Sequence, residues 1–248
     1  NSTPGNSVEQ GWPGHAGVTD DDAVDQLNDT NIVFSPAGLV GVWAVENSRD
    51  AIFEAIRRRE TFGTSGPRIQ VRFFGGWEFT PAACGNSNFL PLAYAAGVPM
   101  GGTLPARPVP RPGLNPSFVV SATADATPLQ RIEVVKVWVN AQGQAQERVV
   151  VAAGSANNGA SVNTTTCMTT PGAGQMTLCG VWTDDQYNPL ERAAYYARVI
   201  ENPTCRWSTY VCNGLPAANR PAACSDPNVP RQLQERAWSS PIFHSPSR

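Results

Sequence analysis

The chain has 248 residues, a formal net charge of −2, 41% hydrophobic residues and 15% charged residues. This length can bury a substantial core, as one large domain or two small ones. The net charge is slightly negative, and the sequence has no long stretch rich in lysine and arginine. Both features argue against nucleic acid as a partner. No apolar run approaches the roughly 20 residues that a membrane span needs. The 22 glycines and 22 prolines favour loops, turns and short strands over long helices.

The first predicted elements are a loop-rich, acidic segment over residues 1–38 and a short buried strand over 39–47. The clearest helix runs from Ser48 to Arg59, because Asn47 or Ser48 can cap its start and arginines end it. Cations are favourable at that end because of the helix dipole. The predicted apolar face of this helix consists of Ile52, Phe53, Ala55 and Ile56.

After Pro67 the hydrophobic pattern changes to a period of two, which indicates a strand. Residues 80–116 are rich in proline and glycine, and we expect mostly loop there. Further strands are predicted over residues 117–123, 131–139, 147–153, 177–182 and 193–200. Strands at this turn-rich spacing predict an antiparallel β-sandwich. The expected fold class is α+β and mainly β, with an α/β segment at 1–66 and a β-rich module at 67–248.

The cysteines favour disulfides over a structural zinc site, because none forms a CxxC pair and the chain has only two histidines. Disulfides imply an oxidising compartment. Cys167–Cys179 and Cys212–Cys224 are plausible local pairs, which would leave Cys84–Cys205. The sequence alone allows 15 connectivities for six cysteines.

Candidate site residues are few. His15 is flanked by glycine in a loop and is free to approach a ligand or metal, although a lone loop histidine is usually just solvated. Thr64, Ser65 and Gly66 offer hydroxyls and backbone N–H groups that can hold an anion. Turn chemistry alone also explains that stretch. His244, near the C-terminus, is the weaker histidine candidate.

Other motifs give little support for a catalytic centre within the chain. No nucleophile elbow, phosphate-binding loop or dinucleotide fingerprint occurs. Asp184 and Asp185 resemble a turn at a strand end more than a catalytic pair. A hydrolytic metal site needs several converging ligands to lower the pKa of bound water. With two histidines far apart in sequence, the chain alone is expected to be inactive.

Seven separated groups of residues resemble, in the same order, the C-terminal portion of a bacterial family known as domain of unknown function 3604. The first three are VWAVENSRDAI at 42–52, TSGPRI with RFFGGW at 64–77, and VPMGG at 98–102. The other four are LQRIE at 129–133, AYYARV at 194–199, PTCRWST at 203–209 and QERAWSSPI at 234–242. The resemblance extends from the first residues to about Phe243.

That family resembles metal-dependent hydrolases of the PHP (polymerase and histidinol phosphatase) type, which form a distorted βα barrel. The resemblance implies that residues 1–66 are the last piece of such a barrel and that the main metal ligands precede residue 1. The parent protein would bind a divalent zinc, manganese or iron ion. It would hydrolyse a small-molecule ester, phosphoester or amide.

The same resemblance implies where the chain works and what it contacts. Family members often carry an export signal, so a periplasmic, cell-envelope or secreted location is expected. The partner would be the upstream half of the same protein or another chain. The residues placed nearest the metal centre, as contacts to substrate or to the metal ligands, are His15, Thr64, Ser65 and Arg68.

A second hypothesis is a non-catalytic binding or structural module of the cell envelope. In that case exposed aromatic side chains such as Trp77, Trp138 or Trp207 would stack on sugars. Packing in a core is the commoner fate of tryptophan. Exposure of these side chains in the structure therefore bears directly on this hypothesis.

Overall fold

The computed structural model describes residues 38–108, 111 and 113–246. His15 and nearly all of the predicted acidic loop lie outside the described residues. Contacts within the chain define two compact units. The larger, here called the sandwich unit, comprises residues 39–158, 173–202 and 235–246. The described part of the smaller, here called the disulfide unit, comprises residues 159–172 and 203–234.

Strands dominate the sandwich unit. Its first five strands are β1 (Leu39–Val42), β2 (Thr61–Thr64), β3 (Gln70–Gly76), β4 (Gly97–Pro99) and β5 (Ser117–Thr123). The next four are β6 (Leu129–Val139), β7 (Ala145–Gly154), β8 (Thr177–Thr183) and β9 (Ala193–Glu201). Its helices are α1 (Arg49–Arg57), a 3-10 helix (Pro81–Gly85) and α2 (Phe89–Ala96).

Short elements complete the chain. The disulfide unit contains β10 (Thr204–Cys205), α3 (Trp207–Gly214), two 3-10 helices (Ala217–Asn219 and Ala222–Ser225) and β11 (Gln232–Leu233). The chain then returns to the sandwich unit with β12 (Arg236–Ser239) and β13 (Ile242–His244).

The sandwich unit consists of two antiparallel sheets. Sheet A has seven strands, in the order β1-β2-β12-β9-β6-β7 with β13 also paired to β9. Sheet B has four strands, in the order β4-β3-β5-β8. Side chains from both sheets form one core, in which the ring centroids of Phe118 in sheet B and Tyr195 in sheet A lie 4.2 Å apart. The prediction of a mainly β chain with antiparallel sheets is confirmed, and the barrel piece stays a prediction.

Helix α1 begins as its sequence predicts, because Ser48 is the N-cap and its Oγ accepts a hydrogen bond from Ala51 N at 3.3 Å. The predicted apolar face is different. Only Ala55 is buried, whereas Phe53 and Ile56 are at least half exposed. Periodicity predicts which side chains share a face of the helix, but not whether that face meets the core.

Residues 80–116 were expected to be mostly loop, and this expectation is wrong for the first half of the segment. The 3-10 helix, α2 and β4 all lie there. These elements cover the outer face of sheet B, where Phe79 and Ala93 pack with Phe74 and Val119. Pro91 does not prevent α2 because it lies in the first turn, where a missing N–H costs nothing.

The predicted domain boundary between residues 66 and 67 falls inside the sandwich unit. It separates β2 of sheet A from β3 of sheet B, and β2 pairs with both β1 and β12. The described residues on both sides of the boundary therefore share one unit. Whether residues 1–66 belong to a hydrolase domain stays a prediction.

Three disulfides form, and only one has the predicted partners. Cys212–Cys224 is confirmed. The other two bonds are Cys84–Cys179 and Cys167–Cys205, so the expected pairs Cys167–Cys179 and Cys84–Cys205 are wrong. The physical reason is the sheet: Cys179 lies on the outer face of β8, which the 3-10 helix carrying Cys84 covers. Proximity in space outweighs the shorter separation in sequence.

Candidate functional site

The structure keeps three of the predicted site residues, Thr64, Ser65 and Arg68, together in the turn after β2. Gly66 N donates to Thr64 Oγ1 at 3.2 Å, which closes the turn. Gly66 has a φ of 148°, a conformation that favours glycine because it has no Cβ. Thr64 is buried and the Arg68 side chain is exposed. His15 lies outside the described residues, so its place relative to this turn stays a prediction.

Two carboxylates, those of Asp125 and Glu235, accept hydrogen bonds from this turn, and that of Glu201 lies near both of them. We call Asp125, Glu201 and Glu235 the carboxylate cluster. Ser65 Oγ donates to Glu235 Oε2, and its oxygen accepts from Arg236 N at 2.8 Å. Arg68 N donates to Asp125 Oδ2 at 2.9 Å. The backbone N of Glu201 donates to the carbonyl of Glu235 at 3.0 Å, which brings the third carboxylate to the same end of sheet A.

The carboxylate cluster has an electrostatic consequence at Glu201. This residue is only 2% exposed, and burial, with smaller contributions from Glu235 and Asp125, raises its pKa to about 8. Both effects favour the uncharged acid. Glu201 therefore carries its proton at neutral pH. A buried acid with a strongly shifted pKa is a mark of functional sites, although structural clusters also show it.

The opposite end of β9 holds a second charged group, and we call Lys136, Asp184 and Tyr195 the lysine cluster. Lys136 Nζ donates to Asp184 Oδ2 at 2.6 Å, and Tyr195 OH donates to the same oxygen at 2.9 Å. Lys136 Nζ also donates to the carbonyl of Gln186 at 2.9 Å. All three side chains of the cluster are essentially buried. Burial and the nearby Asp184 raise the pKa of Tyr195, so the phenol stays protonated.

His244 lies next to the lysine cluster and has a defined tautomer. Its Nδ1 is 2.9 Å from the carbonyl of Glu191, which can only accept, so Nδ1 carries the proton. Its Nε2 is 2.9 Å from Tyr187 OH and accepts from it. Burial is the largest influence on His244 and lowers its pKa, and Lys136 adds to this effect. The imidazole is therefore neutral and acts as a hydrogen-bonding link.

A trough of about 590 Å³ opens beside His244, at the edge of sheet A. We call it the edge trough. Its lining is mainly apolar and includes Val137, Trp138, Val139 and Phe243. Among the tryptophans proposed as sugar contacts, Trp138 lines this trough. Trp77 is only 6% exposed and donates to the carbonyl of Pro105, so the expectation of an exposed Trp77 is wrong.

Sequence reasoning missed both clusters, although one signal was present. Lys136 lies on the same face of β6 as Ile132 and Val134, which point into the core, because residues two apart along a strand share a face. Its position therefore predicts a buried lysine that needs a partner. Asp184 was read as a turn residue, and it does form one, because Gln186 N donates to its Oδ1 at 3.0 Å. Its identity as the partner of Lys136 depends on the pairing of strands far apart in sequence.

The grouping of metal-ligating side chains among the described residues bears on the expected metal centre. No group of three or more His, Cys, Asp or Glu side chains in the described part of the chain is arranged to hold a metal ion. In the carboxylate cluster, Glu235 accepts from Ser65 and Asp125 accepts from Arg68 N. No metal-dependent step is assigned to these carboxylates.

The fold and these clusters define a mainly β sandwich protein with three disulfides, a number that fits an oxidising environment outside the cytoplasm. No helix in residues 38–108 or 113–246 is long and apolar enough to cross a membrane. Residues 3–246 match the family described as "Protein of unknown function (DUF3604)", and the chain belongs to this family. Neither the curated proteins nor the solved structures gave a significant match.

Proposed function

We propose that this chain is the C-terminal part of an exported bacterial PHP-like metal-dependent hydrolase. Its substrate would be a small-molecule ester, phosphoester or amide, and its principal metal ligands would lie in sequence that precedes residue 1. The family membership supports this proposal through the resemblance of that family to PHP-type hydrolases. The sandwich unit would then be an accessory module beside the catalytic barrel.

One observation on the surface carries the proposal. Four large apolar side chains between residues 39 and 56 are half exposed or more: Val40 at 78%, Val45 at 91%, Phe53 at 57% and Ile56 at 50%. A concentration of exposed apolar side chains marks a surface that contacts other protein. They all fall in the segment predicted to belong to the barrel, which supports packing of that segment against further barrel elements.

The turn after β2 has a defined role in this proposal. A bound divalent metal supplies a Lewis acid that lowers the pKa of a water molecule. Arg68 is exposed, and its guanidinium makes no ion pair with any described residue, so it is available to hold an anionic substrate group. The hydrogen bonds of Ser65 and Gly66 fix the backbone that presents it.

The test uses the natural protein, with its N-terminus defined by intact mass. Metal analysis is expected to find bound zinc, manganese or iron, and p-nitrophenyl phosphate or an ester analogue is expected to be hydrolysed. Arg68→Gln should reduce kcat/KM for an anionic substrate by at least about tenfold, the effect of losing one charge-assisted contact. Arg111→Gln, a change at another exposed arginine, is the matched control and should have no effect. The proposal would be contradicted if the natural protein contained no metal or hydrolysed none of these substrates.

The edge trough favours a second candidate function, a non-catalytic carbohydrate-binding module of the cell envelope. Trp138 and Phe243 line it, and aromatic rings of this kind stack on the apolar faces of sugars. Trp138→Ala should then reduce retention on cell-wall polysaccharide, while Trp207→Ala in the disulfide unit should not. Equal retention of both variants and the unaltered protein would exclude the trough as the binding surface.

A further inference from the structure

The disulfide unit carries a second cavity, and its construction points to a ligand. Two disulfides, Cys167–Cys205 and Cys212–Cys224, hold this unit. Its buried apolar cluster is small, consisting of Cys212, Ala223 and Val229 with a few half-buried neighbours. The two disulfides constrain the backbone of the residues around them. Side chains mounted on it are therefore held in defined positions.

The cavity has a volume of about 530 Å³ and a mainly polar lining. We call it the arginine pocket. Arg220 and Arg231 both line it, together with Asn213, Asp226 and the Cys212–Cys224 disulfide. This volume is in the range of small-molecule sites. A polar cavity of this size suits a ligand with several hydrogen-bonding groups.

Asn213 links the two arginines to each other. Arg220 Nε donates to the carbonyl of Leu215 at 3.1 Å, and its Nη2 lies 3.5 Å from the carbonyl of Asn213. Arg231 Nη2 donates to Asn213 Oδ1 at 3.3 Å and to the carbonyl of Thr164 at 3.4 Å. Asn213 Nδ2 in turn donates to Thr164 O at 3.0 Å. Both guanidiniums are thus oriented by neutral acceptors, before any ligand binds.

Neither guanidinium of the arginine pocket forms an ion pair with a carboxylate of the described residues. Among the described lining residues, the one carboxylate is that of Asp226, which accepts from the backbone N and the Nδ2 of Asn228, at 2.8 and 2.9 Å. Hydrogen bonds to described residues use at most two of the five N–H donors of each guanidinium.

The charge of the arginine pocket's lining indicates which class of ligand the pocket can bind. The described residues of the lining, which include Arg220, Arg231 and Asp226, have a formal charge of +1. One negative charge neutralises this lining, and a guanidinium binds a planar carboxylate through two parallel hydrogen bonds.

We infer that the arginine pocket binds a monoanionic, hydroxylated organic ligand, of the class of a sugar carboxylate, through Arg220 and Arg231. This site lies in the disulfide unit and is independent of whether the parent protein binds a metal. If the arginine pocket binds no such ligand, the proposed hydrolase function is not affected. If the parent protein is not a hydrolase, the inference about the pocket is not affected.

Isothermal titration calorimetry with glucuronate, the methyl ester of glucuronate, glucose and glucose 1-phosphate tests the inference. Glucuronate should bind, and the two uncharged sugars should bind at least about tenfold more weakly, since they lack the charge-assisted hydrogen bonds. Arg220→Gln and Arg231→Gln should each weaken glucuronate binding by about tenfold or more. The matched control Arg111→Gln, a change at an exposed arginine of the sandwich unit, should not.

Intact mass and thermal unfolding of each variant establish that the disulfides and the fold are retained. Equal affinity for glucuronate and glucose would overturn the inference, as would undetectable glucuronate binding at millimolar concentration. Equal weakening by Arg111→Gln would attribute binding to general charge and would also overturn it. Tighter binding of glucose 1-phosphate than of glucuronate would overturn the assignment of a monoanion.

Discussion

The two ends of the paired strands β6 and β9 differ in how they bury ionisable side chains. In the lysine cluster, the charges of Lys136 and Asp184 offset each other, and both side chains are hydrogen bonded. In the carboxylate cluster, burial and, to a smaller extent, the neighbouring charges of Glu235 and Asp125 raise the pKa of Glu201 to about 8. One end therefore keeps its ions by pairing them, while the other end avoids an ion by binding a proton.

This difference predicts opposite responses of the two ends to pH. At the carboxylate end, the folded state holds a proton that the unfolded state releases, so raising the pH reduces the stabilising contribution of Glu201. At the lysine end, burial lowers the pKa of His244, so the unfolded state binds the extra proton and lowering the pH is unfavourable. Variants at each end should separate these two effects.

The largest effect is expected from Lys136→Met. This change removes the cation and leaves the Asp184 carboxylate buried, with hydrogen bonds from Tyr195 and Gln186 N as its remaining ones among the described residues. Breaking a buried pair on one side costs about 3–5 kcal/mol. Urea unfolding at pH 7 should show this loss as a lower free energy of unfolding.

Two further variants make this prediction specific to the uncompensated charge. Arg148→Met breaks an ion pair with Asp185, which lies on the surface, and should change the stability little. The double variant Lys136→Met/Asp184→Asn removes the buried negative charge as well, so it should be more stable than Lys136→Met alone. A double variant no more stable than the single variant would show that lost packing, not charge, dominates.

An intermediate effect is expected from Glu201→Gln, and it should depend on pH. An unfolded glutamate has a pKa of about 4.3, whereas folded Glu201 has a pKa of about 8. Between these values, the folded state holds a proton that the unfolded state has released. The free energy of unfolding should therefore fall as the pH rises from about 4.3 to 8, by up to about 1.4 kcal/mol per pH unit.

Glutamine keeps the shape of the neutral acid but cannot ionise. Glu201→Gln should therefore be similar in stability to the unaltered protein near pH 4 and more stable at pH 8, with a difference that grows by no more than about 1.4 kcal/mol per pH unit. Glu147→Gln, at an exposed position on β7, is the control and should leave the pH dependence unchanged. Urea unfolding at pH 5, 7 and 8 measures the slope. An unchanged slope in Glu201→Gln would contradict the raised pKa.

The sequence predicts local features of this fold well and its clusters poorly. The Ser48 cap and the strand of alternating residues after Pro67 are encoded within a few residues, so pattern alone identifies them. The hydrogen bond from Ser65 to Glu235 spans 170 residues, and Cys84 and Cys179 are 95 apart. Such partners are defined by the strand order of the sheets, which no local pattern contains. The turn was therefore predicted as a possible site, while the carboxylates around it were missed.

The smallest effect is expected from His244→Gln at the lysine end. The folded His244 is buried and neutral beside Lys136, with Glu191 O on Nδ1 and Tyr187 on Nε2. Because its folded pKa lies below the unfolded value of about 6.5, the free energy of unfolding should fall as the pH drops through that value. Glutamine does not titrate, so the variant should lose less stability than the unaltered protein between pH 7 and pH 5.

This variant also tests whether the two ends are independent. Tyr195 and Glu201 are six residues apart on one strand, about 20 Å at 3.3 Å per residue, beyond the range at which mutations usually couple. In the double variant His244→Gln/Glu201→Gln, the free energy of unfolding should therefore depend less on pH on both the acid and the alkaline side. The effects of the two substitutions on this free energy should add within about 0.5 kcal/mol. A larger deviation would mean that the charges at the two ends interact through the core, and the contrast between them would no longer hold.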